Sequence, residues 1–231
     1  MEQRMDQFKK LAADRAVKKV KDGMIVGLGT GSTAAYAVDA LGQLVRDGLH
    51  IIGIPTSELT ARQARALGIP LATLAEQTQV HLTIDGADEV ELGTLNLLKG
   101  RGGALLREKI VASASGRLVI IVDETKLVDR LGSRYAIPVE VVPFGWQVAA
   151  RKLREAGAAV SIRHAEDGRL FVSDGGHYIL DCAFRAIASP ASLDQELNAI
   201  VGVVEHGLFL GMTSEVIVGG PAGVKVLSPE R

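Results

Sequence analysis

Four apolar runs, residues 24–28, 50–54, 80–84 and 118–122, each break off in a short polar cluster and are separated by stretches with helical spacing. A strand that is apolar along its whole length must be covered on both faces. The alternation therefore predicts an α/β fold, a Rossmann-like parallel sheet with helices on both faces. The clusters that end the runs are Gly29-Thr30-Gly31-Ser32-Thr33, residues 55–60, Asp85-Gly86-Ala87-Asp88-Glu89 and Asp123-Glu124-Thr125-Lys126. Ligands bind beyond the carboxyl ends of the strands in such sheets, so four separate strands deliver polar groups to one edge. Before the first run, apolar residues at helical spacing predict one amphipathic helix up to Lys21, stopped by Asp22-Gly23.

The rhythm changes after about residue 131. Strand-like stretches at 138–143, 159–164, 168–172, 177–184 and 202–208 surround helical stretches at 146–156 and 193–200. Merging residues 169–184 into one strand gives strand, helix, strand, strand, helix, strand. That order predicts a small α+β ferredoxin-like (split βαβ) domain over residues 132–207. The last apolar run, 215–218, resembles the first four and is expected to return to the main sheet, so the main domain comprises residues 1–131 with 208–231.

Composition narrows the partners. With 26 basic and 27 acidic residues and 4% aromatics, the chain has neither the field nor the stacking surface for nucleic acid, and no field for an anionic membrane. A small molecule is the expected partner. Cys182 is the single cysteine, which excludes an intrachain disulfide. There is no signal-peptide pattern and no run of the roughly 20 apolar residues a membrane span needs, so a cytoplasmic protein is predicted.

The chemistry concentrates in residues 99–109, where a glycine-rich turn opens a helix. Such a turn lets backbone N–H groups approach an anionic or polar ligand. The helical neighbours of Glu108 are Ala104, Leu105, Val111 and Ala112, all apolar. A carboxyl on a buried stripe has a raised pKa and suits a general base near neutral pH; the alternative is a surface glutamate beside Arg107 and Lys109. The segment Gly27 to Ser32 departs from the dinucleotide fingerprint, because Ser32 replaces the third glycine and no acidic residue ends the second strand. It suits a monophosphate or sugar hydroxyls, the alternative being a turn with no ligand. Asp85 and Asp88 bracket a turn at a strand end, where aspartate also caps helices; Lys99 and Lys126 have the alternative of ordinary solvated lysines. His50, His81, His164, His177 and His206 show no paired ligand spacing, so no metal and no cofactor are expected. A magnesium site on Asp85 and Asp88 is the competing reading.

These segments together resemble ribose-5-phosphate isomerases of the A type. The resemblance rests on the clusters at 29–33, 57–60, 85–89, 99–109 and 122–126 and spans essentially all 231 residues. It implies interconversion of D-ribose 5-phosphate and D-ribulose 5-phosphate without a metal, in the non-oxidative pentose phosphate branch, by a homodimer or homotetramer. By the same resemblance Glu108 is the base, Lys99 and the turn N–H groups stabilise an oxyanion, and Asp85 and Asp88 are pocket carboxylates. Thr30, Gly31, Ser32, Thr33 and Lys126 match sugar-phosphate contacts, with Gly86, Ala87, Gly100, Arg101 and Gly102 completing the substrate site. Arg101 stands where the family's turn usually has glycine. Two other classes compete: a coenzyme A transferase with a glutamate nucleophile, and a sugar-phosphate sensor, which would need an output module for which the single helix before the first strand leaves no room.

Overall fold

The computed structural model describes residues 2–185 and 187–229, with side chains from Arg4 onward. The first half runs α1 (Glu2–Val17), β1 (Ile25–Leu28), α2 (Ser32–Arg46), β2 (Ile52–Pro55), α3 (Glu58–Ala66), β3 (Leu82–Asp85), β4 (Glu89–Glu91), β5 (Leu97–Leu98), α4 (Leu105–Ser113), β6 (Leu118–Asp123) and β7 (Leu127–Val128). The second half runs β8 (Ile137–Val141), α5 (Trp146–Glu155), β9 (Ala159–Ile162), β10 (Tyr178–Ala183), α6 (Pro190–Asn198), β11 (Val203–His206), β12 (Leu208–Phe209), β13 (Glu215–Gly220) and β14 (Gly223–Leu227).

The main sheet has the order β14-β13-β6-β3-β1-β2, parallel except for the β13–β14 hairpin. Its strands alternate between two apolar layers. Val119, Ile121 and Ile217 join Ala12, Ala16, Val38 and Leu41 of α1 and α2, while Ile120, Val122, Val216 and Val218 meet Ala112 of α4 and Phe209. This two-sided covering is why the strands read as unbroken apolar runs. The run at 215–218 does return to this sheet, beside β6.

The second sheet has the order β11-β8-β10-β9, wholly antiparallel, with α5 and α6 as its helices, the split βαβ arrangement. Here the sequence expectation needs correction: residues 168–172 form no strand, Leu170 making only an isolated bridge to His164, and β10 begins at Tyr178. The first helix is also shorter than expected, ending at Val17, with turns carrying the chain on to β1. A third sheet, β12-β5-β4-β7, has no counterpart in the sequence expectation. It has a positioning role, because β4 leaves β3 after only three residues and β5 ends at Leu98, directly before Lys99. Among the described residues no helix is long and apolar enough to cross a membrane.

Candidate active site

The cluster that ends β3 and the turn that follows β5 meet around one side chain. Lys99 is 3% exposed; its Nζ donates to the Gly86 carbonyl at 2.6 Å and to Glu108 Oε1 at 3.1 Å, and lies 3.1 Å from Asp85 Oδ2. The cation held by Asp85 is thus the Lys99 ammonium. Asp85 is 1% exposed and sits behind the cleft, also accepting the Thr30 and Gly86 N–H groups at 3.2 and 2.7 Å. A Cβ on Gly29 would lie 2.2 Å from Asp85 Oδ1, so only glycine lets β1 pass this carboxylate.

Glu108 on α4 is 4% exposed, as its apolar helical neighbours lead one to expect. Its Oε2 has no hydrogen-bond partner among the described residues. One buried cation faces two buried carboxylates, an excess negative charge that a proton relieves. Burial pushes Glu108 up, Lys99 pulls it down, and Asp85 and Asp88 add to the rise, leaving it at about 8. Asp85 is also raised by burial, against Lys99 and its N–H donors. Having more donors, Asp85 is the better-stabilised anion, so the exchangeable proton belongs to Glu108. Burial alone would depress Lys99, but Asp85 and Glu108, with Asp88, hold it above the ordinary lysine value.

Above this group lies a cleft of about 150 Å³. Its lining includes Glu108, Lys99 and Asp88; Gly86 and Ala87; Thr30, Gly31, Ser32 and Thr33; Gly100, Arg101 and Gly102; and Lys126. The sequence-selected residues therefore converge, with Asp85 alone set beneath the surface. Gly31 at φ 115° is the N-cap of α2 and no side chain caps the helix, leaving its first N–H groups facing the cleft. The Thr30 hydroxyl turns the other way, bonding to Thr56, Ser57 and Thr60 at 2.7–3.1 Å and locking the β1 turn to the N-terminus of α3. Lys126 ends a short 3₁₀ turn capped by Asp123.

Arg101 costs the glycine-rich turn no backbone strain. The left-handed positions are Gly100 (φ 103°) and Gly103 (φ 78°). The Arg101 N–H donates to Asp88 Oδ2 at 3.0 Å and its guanidinium stacks 4.1 Å from the Tyr135 ring, with Lys126 5.4 Å from the same ring. Three contributors escaped the sequence analysis as functional residues. Glu89, wholly buried, gathers the N–H groups of Gly132, Arg134 and Tyr135 at 2.6–3.0 Å and so places Tyr135. Tyr135 and Arg163 lie outside the cleft, in a second hollow that shares Arg101 with it, and only the position of Glu89 inside a polar cluster gave a signal.

The profile of ribose 5-phosphate isomerase A (phosphoriboisomerase A) matches residues 52–223. The chain is 63% identical to ribose-5-phosphate isomerase A of Gloeobacter violaceus over 225 residues, covering 97% of each. The solved ribose 5-phosphate isomerase A of Methanocaldococcus jannaschii is similar at TM-score 0.93 and 44% identity, over 96% of this chain and 98% of that one. A D-ribose-5-phosphate isomerase in complex with phospho-erythronic acid gives TM-score 0.93 and 40% identity, over 97% and 99%.

Proposed function

The chain belongs to the ribose 5-phosphate isomerase A family, and we propose that it interconverts D-ribose 5-phosphate and D-ribulose 5-phosphate through an enediolate, with Glu108 as the base. The observation that carries this reading is the free Oε2 of a buried carboxyl whose proton affinity is raised to about 8 beside the Lys99 ammonium. Glu108 removes the proton from C2 of the open-chain aldose as the C1 carbonyl oxygen becomes an oxyanion, the O2 hydroxyl proton passes to O1, and Glu108 returns its proton to C1 as O2 becomes the ketone. Lys99 and the turn N–H groups stabilise the oxyanion, a contribution that exists only along the reaction path. Asp88 helps move protons between O1 and O2, while Asp85 holds Lys99 in place from below. The N-terminus of α2 at Gly31, Ser32 and Thr33, together with Lys126, receives the phosphate. A sugar-phosphate acid bound to a 40% identical relative supports an anionic sugar ligand for this cleft. The non-oxidative pentose phosphate branch, cytoplasmic residence and a homo-oligomer belong to the same proposal.

The proton itself provides the test. With one base on one face of a cis-enediol, reaction of ribose 5-phosphate in heavy water should place deuterium at C1 of the ketose in a single stereochemical position, set by exchange competing with return. NMR of the product reads this directly. Isomerisation without solvent label would overturn the exchanging base, and well-folded protein that leaves the sugar unchanged would remove the isomerase assignment.

A further inference from the structure

The glycine-rich turn is gripped by a charged pair, one member just after β9 and the other on β10. Arg163 follows β9, and its Nη1 donates to the carbonyls of Gly100 and Arg101 at 2.8 and 3.0 Å. Its Nε donates to Asp181 Oδ2 at 3.0 Å, and Nη2 closes a second bond to the same carboxylate. Asp181 lies on β10 opposite Ser161 of β9, so sheet register fixes the fork. The same segment sends Phe171 against Gly103, where an added Cβ would lie 2.3 Å from the ring.

A trans peptide is planar, with its C=O and N–H pointing to opposite sides. The Gly100–Arg101 peptide is thus strung between Arg163 at its oxygen and Asp88 at its nitrogen. The next peptide is held by Arg163 at the Arg101 carbonyl only. Its N–H, that of Gly102, faces away from Arg163 and donates to no described backbone group. Gly102 lines the cleft. Glycine peptides in such a turn can flip readily, and a flip here would present a carbonyl to the developing oxyanion.

We propose that Arg163, held by Asp181, is a positioning residue that fixes the Gly100–Arg101 and Arg101–Gly102 peptides so that the Gly102 N–H points into the cleft as an oxyanion donor. This rests on the isomerase reading for its catalytic consequence. Arg163 itself touches no substrate.

The test is Arg163→Met, assayed with ribose 5-phosphate and followed in solution by the amide resonance of Gly102. Loss of one oriented donor is expected to lower kcat by about 10-fold to 100-fold while KM changes less than about threefold. The Gly102 amide should shift, affinity for phospho-erythronic acid should fall by a smaller factor than kcat, and millimolar methylguanidine should restore part of kcat. Unchanged kcat and an unmoved Gly102 amide would overturn the proposal. So would a fall in kcat with a large drop in melting temperature that methylguanidine does not reverse. If Arg163→Met fails to fold, Asp181→Asn, which loosens the fork while leaving the guanidinium, must show a milder version of the same kcat-against-KM split, or the proposal fails. The Gly102 resonance is read without turnover, so it still tests the positioning claim if the wild-type chain proves not to be an isomerase.

Discussion

Two lysines lie near the ring of Phe209, the buried Lys99 at 5.6 Å and the partly buried Lys109 at 5.0 Å, yet their surroundings differ. Lys99 has two buried carboxylates, Asp85 and Glu108, and opens onto a cleft. Lys109 is paired with Glu205 at 2.6 Å in the contact between α4 and β11, near His206 and Asp194. Two carboxylates outweigh the cost of burying one ammonium, so Lys99 binds its proton more tightly than usual. With one principal partner, burial dominates and Lys109 is pulled below the ordinary value. His206, wholly buried, is held down to about 4 by burial and by Lys109, and so stays neutral. On the proposed mechanism, reactivity follows from charge imbalance rather than from burial: Lys99 leaves a carboxyl with a proton to exchange, whereas Lys109 and Glu205 close a locally neutral contact.

The largest way to break this contrast is Glu108→Gln. Turnover should fall by about 100-fold to 10,000-fold with the fold retained, the usual contribution of a positioned base. The folded carboxyl keeps its proton up to about 8, whereas in the unfolded chain it ionises near the ordinary glutamate value of 4.5. Wild-type stability thus declines as pH rises across that window. Glutamine has no such decline, so the difference in melting temperature between mutant and wild type should grow from about pH 5 to about pH 9. Near-normal turnover would remove Glu108 from the mechanism, and a pH-independent difference would show that its proton is not held by burial.

Lys99→Met is the next test. Turnover should drop by about 10-fold to 1,000-fold, more than KM changes, because the ammonium meets a charge absent from the ground state. The base must be ionised, so wild-type kcat/KM should rise with pH through about 8. Lys99 pulls Glu108 down, so its removal must carry this limb to higher pH. A limb that stays in place would mean that another group titrates.

Much of this arrangement was legible in the chain because its signals are local. β1, β2, β3 and β6 are apolar on both faces, so each reads as a continuous run, and Glu108 betrays its burial through neighbours at helical spacing. The third sheet escaped because β4, β5, β7 and β12 are two or three residues long, too short for any period. Residues 168–172 misled because Leu170, Phe171 and Val172 form a short apolar run as a buried strand would, while Phe171 packs on Gly103. Arg163 reads as an ordinary charged residue, since its contacts with Gly100 and Asp181 are set by the β9–β10 register and by domain contact, neither of which is local. Lys99 and Lys109 are alike in sequence; only the fold gives one two carboxylates and the other a single close partner.

The smallest effect is expected at Lys109, and it bears most directly on the contrast. Lys109→Met keeps the packing against Phe209 and removes the charge, leaving Glu205 with the His206 N–H at 2.9 Å as a remaining donor. A half-buried carboxylate that loses its cation should cost about 1–3 kcal/mol of stability, readable in denaturant unfolding. Turnover should stay within about threefold of wild type, since neither Lys109 nor Glu205 lines the cleft. If turnover instead collapsed as in Lys99→Met, with stability little changed, the two lysines would act as one electrostatic unit through Phe209. The distinction between an imbalanced reactive cluster and a balanced structural one would then be wrong.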